Sequence, residues 1–116
     1  MAFTGNEDHK IDIEDGAILT RRYRDEMELG IEEEEIEDYC LGGYFSKAAI
    51  QTLLAQRDCV GIRVYYGLDA DGTQKLVLVG VDANENDQVG VDHCCADAMI
   101  PCPESCGNDN MLNSDM

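Results

Sequence analysis

Residues Gly61–Asp82, GIRVYYGLDADGTQKLVLVGVD, decide the fold of this chain. Ile62, Val64 and Tyr66 point to one side of an extended backbone, and Arg63 and Tyr65 to the other. That alternation is the mark of a half-buried strand. Asp69-Ala70-Asp71-Gly72 supplies a compact turn in which Gly72 is free to take a positive φ. The return run from Lys75 to Val81 does not alternate. Leu76 and Leu78 face one way, and Val77, Val79 and Val81 the other. A strand that is apolar on both faces is a central or covered strand, and a lone hairpin cannot supply the cover. Burying a valine is worth roughly 1.5–3 kcal/mol, so three wet valines would be costly in a small domain. The stretch predicts a hairpin at about 60–68 and 74–82. Helices would cover one face, and a further strand or a second subunit the remainder. Val77, Val79 and Val81 are the candidate dimer interface.

Upstream, the pattern turns helical. Leu19, Tyr23 and Met27 recur every four positions, which predicts a helix from about Asp15 to Glu28 with one apolar stripe. Asp12 or Asp15 can accept its first free N–H groups, and Gly30 fits its end. In the acidic run that follows, Ile36, Tyr39 and Cys40 share a side, predicting a short solvated helix that Gly42-Gly43 breaks. Ser46 is a natural N-cap for a third helix over Lys47–Gln56. Its face is Ala49, Ile50, Leu53 and Leu54, with Phe45 placed before the cap as a staple. The expected fold class is therefore α+β, with two to three N-terminal helices packed on a small antiparallel sheet built around the hairpin. Residues 1–14 read as a flexible start, 15–92 as the domain, and 93–116 as a polar cysteine-containing tail, either disordered or held by its cysteines.

The chain has 116 residues, 25 acidic against eight basic, for a formal charge of −17. That is one domain's worth of chain with a small core, for which burial against a partner subunit is a natural addition. The charge repels phosphate backbones and anionic membranes, and the one basic group, Arg21-Arg22-Tyr23-Arg24, is too small to make a nucleic-acid groove. It suits salt adaptation, solubility or the docking of a basic protein partner. No run of 18 apolar residues offers a membrane span, and the N-terminus lacks the apolar core of a signal peptide. A cytoplasmic setting is expected, with free thiols following from it.

The sharpest chemical cluster is Cys94, Cys95, Cys102 and Cys106, with His93 beside it. Four thiolates, or three and an imidazole, could hold zinc or iron and so order a tail that lacks an apolar core. The spacing is not that of the usual zinc knuckles or iron–sulfur motifs. Disulfides and unliganded thiols stand as alternatives. Cys40 and Cys59 carry apolar spacing and read as small buried hydrophobes. Asp82, Asn84 and Asn86 copy the first ligand positions of a calcium loop, but Asp87 stands where its glycine belongs and His93 where its last glutamate belongs. An Asx-rich turn is the plainer account. Arg63 inside the hairpin could meet a ligand carboxylate, an internal acid or water. No nucleophile–base–orienter set and no Gly-rich phosphate loop is present, and the two histidines, His9 and His93, lie at the polar ends. A non-enzymatic, self-associating protein is the first expectation, a thiolate metal protein the second, and a small-molecule enzyme of unrecognised type the third.

Tyr23-Arg24, the helix start at Phe45–Ala49, and the hairpin from Cys59 through Tyr65-Tyr66-Gly67 to Asn84 and Asn86-Asp87 resemble a group of small bacterial proteins of Bacteroidetes type. Those proteins join a helical part to a hairpin ending near G-V-D-A-N-G-N-D, and many end in a segment similar to Pro101–Gly107. Glu85 stands where that pattern has glycine. The resemblance covers roughly residues 20–107. It implies one unit of helices, hairpin and Cys–Pro tail, and carries no activity, substrate or cofactor.

Overall fold

The computed structural model describes residues 2–30, 39–90, 95–96, 99–102 and 107–114, with Gly30, Cys95, Ala96 and Pro101 by their backbone alone. The elements are α1 (Ile13–Gly30), β1 (Gly42–Tyr44), α2 (Lys47–Leu54), β2 (Cys59–Leu68), β3 (Gln74–Asp82), β4 (Cys95–Ala96) and β5 (Ile100–Cys102). The fold is α+β, with helices preceding a small antiparallel sheet built around the hairpin. The expected helix in the acidic run lies outside the described residues. Contacts divide the chain into two compact units, Met1–Asp8 with Gly43–Ile100, and His9–Gly42 with Pro101–Met116.

The first unit holds the hairpin. β2 and β3 pair antiparallel in a regular register from Gly61↔Val81 to Leu68↔Gln74, with an irregularity between Cys59 and Gly61. The turn closes as its residues dictate. Gly72 takes φ +88°, its N–H donates to the Asp69 carbonyl at 3.0 Å, and Asp69 N–H donates to the Thr73 carbonyl at 2.8 Å. The Asp71 carboxylate accepts from Thr73 N–H at 3.1 Å, and this hydrogen bond holds its pKa below the usual value. On its other side β3 pairs with β4 through Leu78↔Ala96 and Val79↔Cys95, so the strand order is β2-β3-β4 and the doubly apolar strand is central. Of the two kinds of cover expected, a further strand or a second subunit, a further strand is present in the same chain.

α2 is set by Ser46, whose extended backbone ends the preceding segment and whose hydroxyl accepts from Ala49 N–H at 3.0 Å. Its Leu53 is buried, as are Leu78, Val79, Val81 and Met99. α2 packs on β2, β3 and β4. Gly43, read from sequence as part of a helix breaker, instead sits in β1, paired with β5 in a two-stranded ribbon. A Cβ there would collide with the Met99 side chain, so glycine is required by the close approach.

In the second unit, α1 begins after Asp12, whose carbonyl accepts from Gly16 N–H at 3.0 Å. The buried line of α1 meets the expected stripe at Tyr23 and Met27, both half-buried, and departs from it elsewhere. Leu19 is exposed, while Ala17 and Arg24 are buried. Arg24 can occupy a core position because its guanidinium donates to the carbonyls of Leu112 (2.8 Å) and Ser114 (3.2 Å). Asn110 starts that C-terminal turn, its side chain accepting from Leu112 N–H and its carbonyl from Asn113 and Ser114 N–H. The Leu112 side chain lies beside Gly16. The Tyr23 hydroxyl donates to the Cys40 carbonyl at 2.6 Å, and the Tyr23 and Tyr39 rings meet edge to face at 6.0 Å. The described part of the tail, residues 107–114, is thus held by α1 through backbone carbonyls.

Candidate functional site

The two faces of the hairpin are finished differently. Arg63 and Tyr65 on β2 share a face with Val77, Val79 and Val81 on β3. Asp87 bridges Val81 from the side of β3 opposite β2. Its carboxylate nevertheless accepts from Arg63 Nη1 at 2.6 Å and from the Tyr65 hydroxyl in a short hydrogen bond. To meet, these side chains must cross over β3. The result is a polar clasp across the valine face. Arg63 Nη2 also donates to the Glu85 carbonyl at 3.3 Å, and the guanidinium stands 6.0 Å from the Phe3 ring centre. Phe3 is tied to the loop by its N–H, which donates to the Ala83 carbonyl at 2.9 Å. The Tyr65 phenol, then the Asp87 carboxylate, push the Arg63 pKa above its ordinary value.

This clasp lies across the face that carries Val77, Val79 and Val81, the residues expected at an interface. Val79 and Val81 are only 4% and 3% exposed, and Val77 is half-buried. Within the single chain the face is therefore covered at Val79 and Val81 and partly open at Val77.

The other face carries Ile62, Val64, Tyr66 and Leu68, paired with Gly80, Leu78, Leu76 and Gln74. Cover exists at the Gly80 end. A Cβ on Gly80 would lie 2.5 Å from Gln88 Oε1, 2.9 Å from Gln56 Nε2 and 3.1 Å from Cys59 Sγ, so side chains already fill that space. Gln88 is buried, with Nε2 donating to the Arg57 carbonyl at 2.7 Å. Away from that end the face opens. Val64, Tyr66 and Leu68 are 49%, 92% and 73% exposed. The side chains alternate in direction as read from sequence, but the expected half-burial is not met: Cys59–Arg63 are half-buried on both faces, and Val64, Tyr65 and Tyr66 are all exposed.

The loop after β3 is an Asx turn. Asp82 Oδ1 accepts from the N–H groups of Asn84 (2.9 Å) and Asn86 (3.1 Å), so the would-be first calcium ligand caps its own backbone. Glu85 takes φ +70°, a conformation natural to glycine.

The expected metal ligands are placed as follows. His93, Cys94 and Cys106 lie outside the described residues. Cys95 is described by its backbone in β4. Cys102 is disulfide-bonded, and a disulfide sulfur is not a thiolate, so a thiolate site using Cys102 belongs to the reduced chain only. Among the described residues no group of three or more His, Cys, Asp or Glu side chains could hold a metal ion. Cys40 and Cys59 are free, half-buried thiols, each donating at 3.2 Å to the carbonyl two residues on, Gly42 and Gly61. No described helix is long and apolar enough to cross a membrane.

Compared with known proteins, the chain matches no family model, no curated protein and no solved structure. Its functional reading rests on the surface alone.

Proposed function

We propose that this is a non-enzymatic interaction protein that self-associates through the outer half of its hairpin. The observation that carries the proposal is the exposure of Val64, Tyr66 and Leu68 on a strand with no acidic residue from Cys59 to Leu68. Charge supports the same surface. Between Tyr39 and Leu68 the one acid is Asp58, set against Lys47, Arg57 and Arg63, and all other acids lie before or after that segment. Two copies of a strongly acidic chain meet with least repulsion where the acids are missing. Arg63, Tyr65 and Asp87, the charged and polar groups drawn together on the opposite face, are committed to one another. The acidic remainder of the chain would attract a basic protein as a further partner.

The proposal is tested by sedimentation and light scattering across a dilution series, for the natural chain and for Tyr66→Glu. The natural chain is expected to dissociate on dilution. The variant, which puts an acid on the exposed surface, is expected to weaken association roughly tenfold or more, equivalent to about 1.4 kcal/mol. A natural chain that stays monomeric into the high micromolar range would overturn the reading. A cytoplasmic setting is the companion proposal. It requires Cys102 to be reduced in cells, which differential alkylation of freshly lysed cells reads directly, because its disulfide would persist in an oxidising compartment.

A further inference from the structure

Resting on that reading, we infer that the contact is made edge to edge: β2 pairs antiparallel with β2 of a second copy, joining two three-stranded sheets into one continuous sheet. In the order β2-β3-β4, one side of β2 is taken by β3. Along the other side, from Ile62 to Leu68, no backbone hydrogen bond is made among the described residues. An unpaired strand presents a row of N–H and C=O groups ready for another chain, and soluble proteins guard such edges with proline, lysine, inward charges, bulges or extreme shortness.

β2 has few of these guards. It runs for ten residues without proline, lysine or an acid. Its irregularity falls at the start, between Cys59 and Gly61, leaving Ile62–Leu68 in regular register. Its one cation, Arg63, is held over the sheet by Asp87. Among the described residues the N-terminal arm meets the strand at its first end, where Gly5 lies beside the Val60 carbonyl, and Phe3 stands by the Arg63 guanidinium over the sheet. The opposite edge, β4, is two residues long and offers little to pair with.

The occupant follows from symmetry and charge. An antiparallel edge is complementary to itself about a two-fold axis, so a second copy always presents the matching surface. With the axis at Tyr65, Val64 lies opposite Tyr66 of the second copy and Ile62 opposite Leu68. These apolar cross-strand pairs cover the side chains that the single chain leaves exposed. Arg63 then faces Gly67, so no guanidinium meets another. No carboxylate enters the paired segment, despite the net charge of −17.

Hydrogen exchange of the full chain, measured residue by residue above and below the association midpoint, tests the inference. Outward-facing amides within Ile62–Leu68 are expected to slow at least tenfold in the associated form. Association with unchanged exchange in that segment would overturn the edge pairing while leaving self-association intact. Failure to associate at all would sink the earlier reading instead, so the two failures are distinguishable.

Discussion

Glu85 shows how much a single backbone angle can explain. Its φ of +70° places a side-chain-bearing residue in the left-handed region, where a Cβ crowds the following carbonyl. Glu85→Gly keeps the carbonyl that accepts from Arg63 and relieves the backbone. It is expected to raise stability by about 0.5–1 kcal/mol, read as a higher urea midpoint with unchanged slope. Tyr39 makes a prediction about pH. Burial, followed by its hydrogen bond to Glu28 at 3.2 Å, pushes its pKa from 10.0 up to about 12. On raising pH the unfolded chain therefore loses this proton first. The stabilisation is complete below pH 10 and is lost as pH rises from 10 to about 12. Urea unfolding at pH 9 and pH 11.5 should show the natural chain losing about 1–2 kcal/mol relative to Tyr39→Phe, which has no phenol to titrate.

Among the elements, α2 and the hairpin turn were legible because their decisive interactions are local. Ser46 bonds a residue three positions on, and Gly72 closes a turn with Asp69. α1 was legible as a helix, and its orientation in part, since Tyr23 and Met27 are half-buried but Leu19 is exposed. Periodicity favoured Leu19, Tyr23 and Met27, whereas Arg24 occupies the buried line because carbonyls 88 and 90 residues away receive its guanidinium. No window of helical length contains that information. Arg24→Met removes both hydrogen bonds and should cost about 1.5–3 kcal/mol. Its distinguishing sign is earlier protease cleavage within residues 107–114, ahead of any cleavage in the hairpin.

At the scale of the whole molecule, the net charge of −17, with one acid between Tyr39 and Leu68, sets the salt response. Self-association brings two strongly acidic chains together, so screening should strengthen it. Raising sodium chloride from 50 to about 500 mM shortens the Debye length from roughly 14 to 4 Å and is expected to lower the dimer dissociation constant. Binding of a basic protein should weaken over the same range. Sedimentation across the salt series separates the two, and self-association that weakens with salt would contradict the acid-poor contact surface.

The sequence by itself determined the hairpin, its turn, the centrality of β3 and the capped start of α2. The first strand follows from a period of two, the centrality of β3 from the loss of that period in a run apolar on both faces, and the turn and cap from hydrogen bonds a few residues long. It also identified Arg63 as a charge within the hairpin that an internal acid could satisfy. Only the tertiary structure decided which acid. Asp87 lies 24 positions from Arg63, and its clasp with Arg63 and Tyr65 crosses the face that carries Val77, Val79 and Val81. The tertiary structure also decided that the open surface is β2, because a strand's pattern shows which side chains share a face but not which neighbours arrive to cover it. Pairing partners and cover are long-range choices, settled by the arrangement of the whole chain.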